Sequence, residues 1–158
     1  MKYSGQAPSL SDEEIVTYLK KERRARVCTH NQDGTIHAVP VSYRYLDGKI
    51  IFLSFISSKK TRNIRRNPQI TMLVDTAEPF KGVVVYGRGE ISDMDPYDGG
   101  KLILEFAPID AERKEKYLKS YIEVYDNYII EISPERYVSF DYGKDEIYKN
   151  QVEKHLYD

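Results

Sequence analysis

The chain has 158 residues, with 24 basic side chains against 25 acidic ones for a formal charge of -1. That length suits one compact domain spanning residues 1–158, and the balanced charge excludes a dedicated nucleic-acid binder, whose phosphate partners demand a basic excess. A single cysteine, Cys28, leaves no internal disulfide, and three well-separated histidines supply no structural zinc set. No apolar run approaches the roughly 20 residues that span a bilayer, and the start MKYSGQAPSLSDEE lacks the apolar stretch of a signal peptide, so a cytoplasmic protein without membrane partners is expected.

The first predicted element is a short amphipathic helix in SLSDEEIVTYLKKERRA. Ser11 and Glu14 form a capping box, and Ile15, Tyr18 and Leu19 share a face. RVCTH, TIHAVPVSYRYL and KIIFLSF then read as strands of an antiparallel meander. They are separated by NQDG and LDGK, where Asp-Gly supplies the positive-φ positions of tight turns. Pro40 sits in the middle of the second of these strands and cannot donate to a ladder, which places that part at an edge or a bulge.

Asn67-Pro68 stops the helix expected from about Ser58, and QITMLVD and GVVVYGRGEIS resume the strand pattern around a TAEPFK loop. Asp95-Pro96 opens a mixed helical region through KLILEFAP and DAERKEKYLKSY. NYIIEIS and ERYVSFDY, split by Pro134, read as a last pair of strands. The segment from 144 to 158 is a charged tail that either docks as a helix or frays. The sum is a mainly β α+β domain, an antiparallel barrel with peripheral helices.

The most unusual segment is SSKKTRNIRR, with two lysines and three arginines between Lys59 and Arg66. On a helix, Lys59, Arg62 and Arg66 fall on one stripe with Arg65 beside it, whereas Lys60, Thr61 and Ile64 fall on another. Ile64 is the residue expected to be buried, so Lys60 is held close to the body of the protein. A buried ammonium requires an anionic partner. A phosphate fits, because Ser57 and Ser58 stand where free N–H groups and the helix dipole favour an anion.

Other constellations carry little chemistry. Cys28 is expected to be a small core residue, and His30 and His37, across a hairpin, do not by themselves make a metal site. Gly87-Arg88-Gly89 lacks the third glycine and following helix of a dinucleotide fingerprint.

In order and spacing, DGTIHAVPVSY, KIIFLS, SSKKTRNIRRNPQITMLV and VVVYGRGEI resemble the FMN-binding split β-barrel family related to pyridoxine-phosphate oxidase, over a core of residues 23–142. The resemblance implies a homodimer holding two flavin mononucleotides at its interface and acting as an oxidoreductase on a small molecule. It implies that Ser58, Lys59 and Lys60 hold the cofactor phosphate with Thr61 near it. It further implies that Leu53 and Ser54 lie beside the phosphate and ribityl chain, and that Val39, Pro40, Val41 and Ser42 run along the flavin ring. The chain departs from the oxidase in having His37-Ala38 where a basic residue begins the ring strand, and in having no tryptophan and no arginine in its ending QVEKHLYD. Pyridoxine phosphate is therefore not the expected substrate. RNIRRNP, DTAEPFK and the VxGR-type strand look closer to the branch with deazaflavin-dependent reductases, which makes a deazaflavin the alternative cofactor. A flavin- or haem-holding protein without turnover is a third reading.

Overall fold

The computed structural model describes residues 7–155. The reading of the chain's first six residues, and of the tail beyond 155, falls outside them. The strands are β1 (Arg24–His30), β2 (Ile36–Leu46), β3 (Lys49–Phe55), β4 (Gln69–Thr76), β5 (Lys81–Ile91) and β6 (Asn127–Asp141). The helices are α1 (Asp12–Lys21), α2 (Lys59–Arg66), α3 (Pro96–Leu104), α4 (Ala111–Val124) and α5 (Glu146–Gln151). All six strands join in one closed antiparallel barrel, in the order β1-β2-β3-β6-β5-β4 with β4 returning to β1.

Turn chemistry sets up the meander as expected. Asp47 and Gly48, between β2 and β3, adopt φ of 46° and 82°, the two positive values that a two-residue hairpin turn needs. Alternate residues then point inward, and Val27, Phe52, Met72, Val85 and Ile132 are each 0% exposed in a shared core. Helix α1 adds Ile15, Tyr18 and Leu19 to that core, its capping box fully formed, and the buried Tyr43 hydroxyl donates to the Leu19 carbonyl at 2.8 Å.

KIIFLSF lacks alternation because both faces of β3 are covered. Ile50 and Phe52 face the barrel interior, whereas Ile51 packs outside with Ile103 of α3 and Ile129 of β6. The seat of α3 depends on two glycines. A Cβ on Gly99 would stand 2.4 Å from Ile129 Cδ1, and one on Gly100 would stand 2.5 Å from Leu118 Cδ1 of α4.

Two expectations are corrected. NYIIEIS and ERYVSFDY are not two strands but one, β6, because a register shift beside Gly87 absorbs Pro134 without interrupting the ladder to β5. Gly87 is required there, since a Cβ would meet the Ser133 carbonyl oxygen at 2.4 Å. Cys28 is not in the core: the inward positions of β1 are Ala25, Val27 and Thr29, so Cys28 lies half-buried on the outer face. The described part of the tail docks, with Asp145 capping α5 and the Tyr142 and Tyr148 rings 4.8 Å apart.

The feature that matters for function is an incomplete seam. β2 pairs with β3 only over Tyr43–Leu46, against Lys49–Phe52. Beyond that, Ile36–Ser42 of β2 pairs with β1 alone and Leu53–Phe55 of β3 pairs with β6 alone. The two strands diverge, and the barrel is split between them.

Candidate functional site

The split leaves main-chain groups without a partner strand. Tyr43 donates its N–H to the Arg23 carbonyl at 2.9 Å, so the odd-numbered residues of β2 spend their hydrogen bonds on β1. The even-numbered ones face the other way, into the opening: the Ser42 N–H and carbonyl, and the Pro40 carbonyl. Pro40 has no N–H to lose there, which explains how the strand tolerates it.

The far side of the opening is built by α2. Ser58 caps the helix, accepting from the Thr61 N–H at 3.3 Å, and its hydroxyl lies 3.0 Å from both the Ser54 and the Thr61 hydroxyls. Ser54 and Thr61 are 2.7 Å apart, and Thr61 donates to the Phe55 carbonyl at 2.8 Å. These three hydroxyls form a knot that fixes the end of β3 to the start of α2, with Ser54 and Thr61 fully buried.

Lys60 is half-buried and makes no ion pair or hydrogen bond among the described residues. Burial alone pushes its pKa below the ordinary lysine value, as expected for an ammonium moved out of water without a counter-charge. Thr61 and Ile64 share its inward side, as the sequence stripe requires; Asn63 also turns inward, donating to Thr29 Oγ1 at 3.1 Å and Asn31 Oδ1 at 2.9 Å.

The arginines behave differently. Arg62 donates to the Ser57 carbonyl at 3.0 Å, and Arg65 donates to the Tyr128 hydroxyl at 2.8 Å. Arg66 reaches the His30 carbonyl at 2.6 Å and Asn63 Oδ1 at 2.9 Å. Arg65 and Arg66 pin α2 to the barrel and Arg62 ties it to the turn before it, which leaves the lysines as the segment's uncommitted cations among the described residues.

A cavity of about 300 Å³ fills the opening. The barrel contributes Pro40, Val41, Ser42, Leu53 and Phe55; α2 contributes Lys60; α3 and α4 contribute Ile103, Leu104, Tyr117, Leu118 and Tyr121. At Ser42, Ile103 and Leu104 it meets a second hollow of about 470 Å³ that runs on toward Arg23 and Arg24. Five of the sequence-predicted residues are thus brought together on one lining: Pro40, Val41, Ser42, Leu53 and Lys60. Val39 is half-buried in the free half of β2; Ser54, Ser58 and Thr61 form the knot behind the lining; Lys59 is exposed at the start of α2.

Sequence reasoning left the helical wall unassigned, because the tyrosines that could form it number 14. The signal was present as Tyr117, Tyr121 and Tyr125, spaced four apart on one helical face, but that face could not be assigned to a cleft before the path of α4 was known. Among the described residues no group of three or more His, Cys, Asp or Glu side chains is placed to hold a metal ion. No helix among them is long and apolar enough to cross a membrane.

None of the curated proteins matches the chain. Solved structures do. A conserved hypothetical protein from Mycobacterium tuberculosis is 22% identical, with 89% of this chain and 90% of that one covered and a TM-score of 0.71. A FAD-binding protein from Mesorhizobium loti is 23% identical, over 85% and 97% of the two chains, with a TM-score of 0.63. An F420 reductase is 21% identical, over 77% and 94%, with a TM-score of 0.57. At these identities the likeness shows a shared split-barrel fold. The family model for pyridoxamine 5'-phosphate oxidase matches residues 11–137, and the chain belongs to that family.

Proposed function

We propose that this chain binds flavin mononucleotide in the opening between β2 and β3 and, as a homodimer, carries out redox chemistry on a small molecule. The observation that carries the reading is Lys60, a half-buried ammonium with no counter-charge among the described residues, on the same lining as unpaired main-chain groups. A phosphate would satisfy the first and the polar edge of a planar heterocycle the second. The first-turn N–H groups of Lys59 and Lys60 add positive potential at the same end. The names of two structural neighbours, a FAD-binding protein and an F420 reductase, support a flavin-type ligand for this fold.

A bound flavin supplies the electron transfer itself. The chain's own residues bind and orient it. Lys60 neutralises phosphate charge, the knot of Ser54, Ser58 and Thr61 fixes the end of β3 to the start of α2, and Pro40 to Ser42 present a flat apolar strip with main-chain polar groups along its edge. Leu53, Ile103 and Leu104 keep water from the ring. All three arginines of α2 are committed to the protein, which favours the compact mononucleotide over a deazaflavin with a longer anionic tail.

The test is an absorption spectrum of the purified protein, followed by mass spectrometry of whatever denaturation releases. Flavin mononucleotide is expected. Release or selective uptake of a deazaflavin, or no uptake of either at micromolar concentration, overturns the assignment.

A further inference from the structure

The wall opposite β2 has a chemistry of its own. Phe55, Tyr121 and Tyr117 form a run of nearly parallel rings: Phe55 and Tyr121 lie 5.6 Å apart with planes 26° apart, and Tyr121 and Tyr117 lie 5.9 Å apart at 25°. Tyr125 backs the run, 4.8 Å from Phe55 and 5.4 Å from Tyr121. Phe55, Tyr117 and Tyr121 all line the cavity, and Tyr117, the outermost ring, is 56% exposed. A stack that ends on an open face within a cavity offers the next ring its place, since offset-stacked aromatic pairs are favoured beyond the area they bury.

The hydroxyls point the same way. In the core, Tyr43 donates to the Leu19 carbonyl, and on the surface Tyr97 is tied to Glu115. Among the described residues, the hydroxyls of Tyr117 and Tyr121 have no protein partner, although the Tyr121 ring is half-buried. Burial and its two tyrosine neighbours push the Tyr121 pKa up, which keeps its phenol protonated and able to donate.

We propose that the α4 stack is the substrate wall, and that it selects a planar aromatic ring carrying a carbonyl-type acceptor. The ring lies on Tyr117, and the acceptor takes the hydrogen bond of Tyr121. Calling the ligand a substrate rests on the flavin reading above; the ring recognition does not.

The experiment titrates 1-naphthamide, a planar ring with an amide acceptor, and its fully saturated bicyclic analogue into the protein, with and without flavin mononucleotide, by calorimetry. The planar probe is expected to bind at least about tenfold more tightly than the saturated one. Tyr117→Ala is expected to lose about tenfold in affinity for the planar probe and Tyr117→Phe to keep it, both with unchanged flavin affinity; Tyr121→Phe is expected to lose about fivefold. Equal binding of the two probes, or an unchanged affinity in Tyr117→Ala, overturns the proposal. Loss of flavin affinity in Tyr117→Ala also overturns it, because the wall then belongs to the cofactor. Discrimination between the probes in a protein that takes up no flavin supports the ring recognition and sinks only the flavin reading.

Discussion

The two ends of α2 carry the same kind of charge and do opposite things with it. At the C-terminal end, Arg65 and Arg66 are spent on Tyr128, on a backbone carbonyl and on Asn63, and the charge serves attachment. At the N-terminal end, Lys60 is drawn inward by the burial of its neighbours Thr61 and Ile64 and meets no acceptor among the described residues. Charge density along a sequence therefore says little about ligand binding until each cation has been traced to its partner. The planar, five-donor guanidinium suits carbonyls and hydroxyls at fixed angles, whereas the compact ammonium on a flexible stem waits for a point of negative charge.

Four substitutions test that contrast. Lys60→Ala should produce the largest effect, a loss of roughly 10- to 150-fold in flavin affinity measured by fluorescence titration, as expected when a charge-assisted hydrogen bond worth about 1.5–3 kcal/mol is removed. Retained affinity would place the phosphate elsewhere. Thr61→Val keeps the side-chain shape but unties the hydroxyl knot, and should destabilise the fold by about 1–3 kcal/mol in urea unfolding. A neutral result would mean that the knot does not hold the end of β3 to α2.

Lys60→Met probes the other side of the balance, in the absence of flavin. Burial lowers the Lys60 pKa in the folded state, so the unfolded chain binds the proton more readily and wild-type stability rises with pH. The methionine variant should be the more stable protein at neutral pH, and its advantage should shrink as pH rises through the depressed folded value toward the ordinary lysine range. A pH-independent difference would show that the ammonium is solvated. Arg65→Ala should do least: its guanidinium lies 5.1 Å from the Tyr128 ring centroid on an exposed surface, worth about 0.5–1 kcal/mol of stability and leaving flavin affinity unchanged.

The barrel was largely legible in the sequence because its signals are local. Asp47-Gly48 could only be a turn, and the stretches on either side alternated or were uniformly apolar. The fused β6 was not legible, since Pro134 ends a strand unless the opposite strand supplies a glycine, and Gly87 lies far away in the chain. For the site, the inward turn of Lys60 followed from the helical spacing to Ile64. The commitment of the arginines did not, because their partners His30 and Tyr128 come from other strands. The tyrosine wall was hidden for the same reason: its membership is decided by the seat of α3, which two glycines permit, and by the way α4 then lies across it.

Pro40 has one more consequence. Any strand that turns free main-chain groups toward an opening is a template on which another polypeptide can zip itself into the sheet, and that is a route to aggregation. At the centre of the free half of β2 the proline removes a donor, so an incoming strand would find a gap in its ladder where a small planar ring asks for no continuous one. The opening can therefore stay unzipped without inviting a further strand into the sheet.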